Sequence, residues 1–185
     1  TPTYAAMELY VDNWRWQGVP FYLRSGKALA KKHSEIAVVF KRPPLAMFGF
    51  VNHRVSNVLS ILIQPDEGVH LSFEAKLPDS SQETRTVDFE FHYRDAFPDR
   101  AIPDAYERLL LDALHGDAML FARNDEIIGA WQLIDPILQA WAAPDAPPLV
   151  TYPKGSWGPE EADRLLAQDS RRWIVTEHEE NKQTA

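Results

Sequence analysis

The sequence predicts an α+β fold, a mainly antiparallel β-sheet with helices packed on one face. Three observations predict it. Val69, Leu71, Phe73 and Ala75 alternate with His70, Ser72 and Glu74, and Val87, Phe89, Phe91 and Tyr93 alternate with Asp88, Glu90 and His92, the period-two pattern of half-exposed strands. Pro65-Asp66-Glu67-Gly68 joins one strand to the next in too few residues for a parallel crossover, so that pair is an antiparallel hairpin. Beyond residue 100 the apolar period changes from two to the spacing of a helix.

In chain order, Thr1-Pro2 has the chemistry of an N-cap followed by proline at the first helical position. Tyr4, Met7, Val11 and Trp14 follow at helical spacing, so a helix is expected to run to about Gly18. Val19-Pro20-Phe21-Tyr22-Leu23 reads as the first strand and Ile36-Ala37-Val38-Val39-Phe40 as the second, ended by Pro43-Pro44. A loop to about Asn57 precedes Val58-Leu59-Ser60-Ile61-Leu62-Ile63, a nearly continuous apolar run expected to be a central strand with Gln64 at its mouth. The two alternating strands come next.

A helix is expected from Pro103-Asp104, with Tyr106, Leu109, Leu110, Ala113 and Leu114 on its buried face and Gly116 as its stop. A second begins near Asn124-Asp125 and carries Ile127, Trp131, Ile134, Leu138 and Trp141, with a kink expected at Pro136. After Pro144, Pro147 and Pro148, a short helix opens at Gly158-Pro159-Glu160-Glu161-Ala162-Asp163. Arg172-Trp173-Ile174-Val175 reads as a closing strand, and residues 177–185 as a disordered tail.

At 185 residues, 45% of them hydrophobic, the chain can bury a sizeable core, and one domain over residues 1–176 is expected. A net charge of -8 argues against nucleic acid as a partner. Cysteine is absent from the sequence, which excludes disulfides and thiol chemistry. No apolar run spans a bilayer and no leader precedes Tyr4, so the expectation is a cytoplasmic protein with no membrane partner. The chain opens without methionine, which suggests a piece of a longer one.

Against this acidic background Arg24-Ser25-Gly26-Lys27-Ala28-Leu29-Ala30-Lys31-Lys32 places four cations within nine residues at the end of a strand. Such a loop can hold an anion by charge-assisted hydrogen bonds, phosphate above all, although charge runs are more commonly solvated faces. It is not a nucleotide P-loop: Phe21 and Ala28 stand where that motif requires glycine and Ser or Thr.

With its flanks the stretch resembles the substrate-pocket segment of glucose-6-phosphate dehydrogenase. The similarity runs from Tyr10 and Trp16 through Gly18-Val19-Pro20-Phe21 to Arg24-Ser25-Gly26-Lys27-Ala28-Leu29, then Asn57 and Gln64-Pro65-Asp66-Glu67. It continues through Pro103-Asp104-Ala105-Tyr106-Glu107-Arg108-Leu109-Leu110-Leu111-Asp112 to Gly155-Ser156-Trp157-Gly158-Pro159-Glu160-Glu161-Ala162-Asp163, in the family's order and over nearly the whole chain.

The resemblance implies the large β+α domain of an enzyme of the oxidative pentose phosphate pathway. That enzyme oxidises D-glucose 6-phosphate to 6-phospho-D-glucono-1,5-lactone, with NADP as hydride acceptor and a histidine as base. It also implies that Lys27, Lys32 and Gln64 bind the substrate, with Lys31 solvated, and that the large sheet mediates a homodimer or a dimer of dimers. The family's dinucleotide fingerprint, its phosphate-contacting Arg-Ile-Asp-His-Tyr-Leu-Gly-Lys segment and its catalytic histidine have no counterpart here, so no catalytic, cofactor-binding or metal residue is assigned to this chain. The N-terminal NADP domain is expected upstream of Thr1, and the isolated chain is expected to be inactive.

Arg24 and Asp104 match residues near the structural NADP site of animal members. Leu62, Ala37, Ser72 and Trp157 stand where that site has basic side chains, so no structural NADP is expected. His33, His53, His70, His92, His115 and His178 are read as exposed or satisfied, and Asp99, Asp104, Glu107 and Asp112 as helix-start and surface groups. The alternative function is a non-catalytic sugar-phosphate binding or assembly module derived from the enzyme.

Overall fold

The computed structural model describes residues 2–42, 56–80, 83–100, 102–103 and 105–176. The Pro43-Pro44 stop, Asp104, His53, His178 and the expected tail lie outside them. The chain forms two compact units, Thr1–Asp99 with Tyr152–Ala185, and Arg100–Thr151.

The first unit contains two antiparallel sheets. β1 (Tyr4–Leu9) pairs with β2 (Phe21–Gly26), Tyr4 opposite Gly26 and Leu9 opposite Phe21. β3 (Ser34–Val39), β4 (Val58–Gln64), β5 (Gly68–Lys76) and β6 (Thr84–His92) form the second sheet in sequence order. The hairpin between β4 and β5 is antiparallel, as its short turn requires, and its Gln64-Pro65 peptide is cis. α1 (Tyr93–Ala96) continues directly from β6, so Tyr93 leaves the alternating strand in which its spacing placed it.

The helix expected over the first eighteen residues is instead strand β1. Tyr4 and Met7 also suit a pleated surface, and the ladder to β2 satisfies a backbone that the helix would have satisfied internally. Only residues 13–18 coil: the Asn13 side chain accepts from the Arg15 and Trp16 amides, and Gly18 ends the turn at φ 73°. β2 runs three residues further than the apolar run, taking in Arg24, Ser25 and Gly26, so the basic connection itself is residues 27–33.

Register gives the four-stranded sheet two different faces. Ile36, Ile61, Val69 and Phe91 form one cross-strand row and Val38, Leu59, Leu71 and Phe89 the next, an apolar face on which Ile36, Val38, Ile61 and Phe89 are exposed. The other face carries Ala37, Ser60, His70 and Glu90, with buried Ser60 and Leu62 toward β3. α4 (Glu160–Ala167) belongs to this unit and buries Ala162 and Leu166.

Residues 171–176 form no ladder, contrary to the closing strand that Arg172-Trp173-Ile174-Val175 suggests. Side chains hold them instead. The Trp173 indole N–H donates to the Ala162 carbonyl at 3.1 Å, and the Thr176 amide donates to the Glu35 carboxylate at 3.1 Å rather than to a strand carbonyl.

The second unit contains α2 (Ala105–His115) and α3 (Asn124–Trp141). Gly116, at φ 71°, ends α2 where expected. α3 continues through Pro136 to Trp141. Asp112 is not a surface group: it is buried, and the Arg108 Nε one helical turn earlier donates to its carboxylate at 3.0 Å. Among the described residues no helix is long and apolar enough to cross a membrane. The fold class is α+β with antiparallel sheets, as the sequence predicts.

Candidate functional site

Lys27 is the first residue after β2 and its side chain is exposed. Its main chain is held at both ends: its N–H donates to the Thr3 carbonyl at 2.8 Å, and its carbonyl accepts from the Tyr152 hydroxyl at 2.7 Å. Ala28 takes a left-handed φ of 50°, a conformation that costs a residue with a Cβ of order 1–2 kcal/mol. The neighbouring bonds offset that cost. The Ala28 carbonyl accepts from the Gly155 amide at 2.9 Å, and the Ala30 amide donates to the Ser156 carbonyl at 3.0 Å. The loop carrying Gly155-Ser156-Trp157-Gly158 is thus stitched to the basic connection.

Tyr4 explains the glycines of both motifs. A Cβ on Gly26 would lie 2.6 Å from the Tyr4 ring and a Cβ on Gly158 2.5 Å from it, so the ring is wedged between the two segments. Gly158 also has φ 116°, which a side chain rarely adopts. Tyr152 closes the wedge, its ring centroid 5.3 Å from that of Tyr4.

Lys32 and Gln64 lie at the same end of the four-stranded sheet, where the connection reaches β3. Ser34, two residues after Lys32, is the register partner of Gln64, so both side chains start from the same end of the four-stranded sheet, and both are exposed. A polar knot under this end holds the backbone. The Glu35 carboxylate lies 2.8 Å from His33 Nε2 and accepts from the Thr176 amide and hydroxyl, at 3.1 and 2.5 Å, while Ser60 and Thr176 hydroxyls are 2.8 Å apart. Burial pushes the Glu35 carboxyl up, but the hydrogen bonds of Ser60, Thr176 and His33 outweigh it and hold it below the usual carboxylate range. Lys31 is exposed between the two lysines.

Arg24 belongs to β2 and is half-buried between two indoles, its guanidinium carbon 5.1 Å from the Trp157 centroid and 4.7 Å from that of Trp173. The cation is therefore engaged within the chain, and Trp157 is one of the two faces that engage it. Beside it, Tyr22 bonds the Asp169 carboxylate and Arg171 lies 5.5 Å over the Tyr22 ring. Burial and the Asp169 bond push the Tyr22 phenol up.

Three of the histidines face carboxylates: His33 on Glu35, His70 at 3.1 Å from Asp88, and His92 at 3.2 Å from Asp66. Tyr4, Tyr152 and Glu35 organise the site although nothing in the sequence marks them as site residues. Tyr4 and Tyr152 carry no local signal beyond aromaticity, and Glu35 alternates with apolar residues in the manner of a solvent-facing strand position.

The family described as "Glucose-6-phosphate dehydrogenase, C-terminal domain" matches residues 1–174. The chain is 46% identical over 176 residues to glucose-6-phosphate 1-dehydrogenase of Treponema pallidum, covering 94% of this chain and 34% of that protein. It is 47% identical over 174 residues to that of Mycolicibacterium smegmatis, covering 94% and 35%. Among solved structures, glucose-6-phosphate dehydrogenase in complex with its substrate glucose-6-phosphate superposes with a TM-score of 0.81 at 35% identity, over 94% of this chain and 35% of that one. Glucose-6-phosphate 1-dehydrogenase from Mycobacterium avium does so with a TM-score of 0.74 at 35% identity, over 95% and 35%. The chain spans about a third of the length of the curated relatives it matches.

Proposed function

The chain belongs to the glucose-6-phosphate dehydrogenase C-terminal domain family, and from that premise we propose that it is the portion of such an enzyme that holds glucose 6-phosphate. Lys27, Lys32 and Gln64 are the residues we assign to the substrate. The observation that carries this is the connection 27–33: exposed lysines near its two ends, the first on a backbone tied to Thr3 and Tyr152 and the second two residues before the paired start of β3.

Two ammonium groups and an amide suit a phosphorylated sugar. The lysines donate charge-assisted bonds to phosphate or hydroxyl oxygens, and Gln64 both donates and accepts. Bound NADP would accept the hydride from the sugar. This chain's residues do not fit that cofactor as its hydride-transfer site: the ladders among the described residues are antiparallel, without the strand, glycine-rich turn and parallel return that cradle a pyrophosphate. The role we assign here is to bind and orient the sugar phosphate, while NADP and the base belong with the two-thirds of the relatives' length that this chain does not cover. The isolated chain should accordingly reduce no NADP with glucose 6-phosphate; any substrate-dependent rise at 340 nm from pure chain would overturn this division of labour.

Steady-state kinetics on lysine variants of the full-length enzyme containing this chain tests the assignment. A charge-assisted bond is worth about 1.5–3 kcal/mol, so Lys27→Ala should lower kcat/KM for glucose 6-phosphate by about ten- to a hundredfold. Lys32→Ala should act in the same direction, mainly through KM if it holds the phosphate, whose charge is unchanged by the reaction. Lys31→Ala is the control for a general cationic field. Equal small losses for all three would misplace the substrate.

We also propose a homodimer through the apolar face of the four-stranded sheet, supported by exposed Ile36, Val38, Ile61 and Phe89. Sedimentation of the full-length protein as a monomer alone at micromolar concentration would remove that proposal.

A further inference from the structure

We propose that Tyr152 is a positioning residue for the sugar-phosphate site, acting through the main chain of Lys27; this rests on Lys27 being a substrate residue, as proposed above. A lysine side chain has four rotatable bonds, so where its ammonium can reach depends on how firmly its Cα–Cβ bond is aimed. Two bonds aim it here. One is the Lys27 amide on the Thr3 carbonyl at 2.8 Å, the other the Tyr152 hydroxyl on the Lys27 carbonyl at 2.7 Å.

The tyrosine has one proton to give. The Thr3 carbonyl stands farther from the same hydroxyl, at 3.2 Å, and already receives the Lys27 amide, so the Lys27 carbonyl is the better acceptor. Thr3 Oγ1, at 3.4 Å, can donate to the phenol oxygen and reinforce that direction. Meanwhile the Tyr152 ring is braced on Tyr4, the wedge between Gly26 and Gly158. The next peptide leaves Lys27 through the left-handed Ala28, whose carbonyl is held by Gly155. A strained residue immediately after Lys27 would relax by turning the Lys27 carbonyl, and the Tyr152 bond opposes that rotation. Its hydroxyl bonds the Lys27 carbonyl, so its effect passes through residue 27.

A double-variant cycle in the full-length enzyme tests this. Tyr152→Phe keeps the ring on Tyr4 and removes only the donor, and it should raise KM for glucose 6-phosphate about three- to tenfold, the scale of one neutral hydrogen bond, with KM for NADP unchanged. In the Lys27→Ala background the same change should have no further effect, because the side chain it aims is gone. Installing 4-aminophenylalanine at position 152, which restores a donor on the same ring, should return KM toward the parent and also serves if the phenylalanine variant folds poorly. Equal losses from Tyr152→Phe in both backgrounds, or no loss in the parent while Lys27→Ala is impaired, would overturn the positioning role alone. Parent-like kinetics for Lys27→Ala would instead overturn the substrate assignment beneath it, and the positioning role with it.

Discussion

The two ends of the 27–33 connection are held by different chemistry. At the Lys27 end the anchors are neutral: main-chain bonds to Thr3, Tyr152, Gly155 and Ser156, and an aromatic wedge that only glycines 26 and 158 admit. At the Lys32 end the anchor is one ionised carboxylate, Glu35, gathering Thr176 and His33 beneath the end of the sheet that carries Gln64. The first should be indifferent to pH and intolerant of added volume. The second should tolerate small changes in shape and depend on charge.

Volume gives the largest expected effect. Gly158→Ala drives a methyl into the Tyr4 ring and puts a Cβ on a residue at φ 116°. Overpacking and backbone strain together should cost about 3 kcal/mol, a fall in Tm of about 6–12 °C for a chain of this size. Calorimetry on Gly158→Ala, Tyr4→Ala and the double variant separates the two causes: measured against Tyr4→Ala, the cost of Gly158→Ala should shrink by its steric part only. Full recovery would mean that backbone conformation contributes nothing, and no loss in the single variant would dissolve the wedge.

Charge at the other end comes next. Glu35→Gln should cost about 1–3 kcal/mol at neutral pH, since it leaves Thr176 and His33 facing an amide. The acid side sharpens the contrast. Because the folded-state carboxyl is held below its ordinary value of 4.5, its stabilising contribution is fully present above that value and is lost as pH falls through the lower folded one. Melting curves from pH 7 down to 3 should therefore converge for the parent and Glu35→Gln at the acid end, whereas the Gly158→Ala deficit should persist at every pH. Parallel curves for the parent and Glu35→Gln would break the distinction between the two anchors.

A smaller effect is expected at Arg24, which neither anchor includes. Its two indole contacts should make Arg24→Ala cost about 1–2 kcal/mol, with Arg24→Lys intermediate because the ammonium keeps its charge and loses the planar stack. Chemical denaturation measures both. The smallest effect should be Lys31→Ala, within about 0.5 kcal/mol in stability.

Much of the fold was legible because the four-stranded sheet is built from neighbours in sequence. The period-two pattern in 69–75 and 87–91 and the short 65–68 turn each report local geometry, and hairpin register follows from the turn. The first eighteen residues mislead for the converse reason. The partner of β1 is β2, across a separate helical turn, and apolar spacing at Tyr4, Met7 and Val11 cannot tell a strand that has such a partner from a helix that needs none. The closing segment failed likewise: Arg172-Trp173-Ile174-Val175 has strand composition, but Glu35 takes the Thr176 amide that a ladder would have used.

The α+β class, the hairpins, the family resemblance and the lysines worth testing depend on residue type, short-range period and motif order, all of which can be read along the chain. Why those motifs contain the residues they do follows from contacts made in the folded chain. Gly26 and Gly158 lie far apart in the chain and are both explained by the ring of Tyr4, and Lys27 is held by Thr3 on one side and Tyr152 on the other. A local pattern reports the face a residue shows, whereas a contact across more than a hundred residues leaves no period behind it.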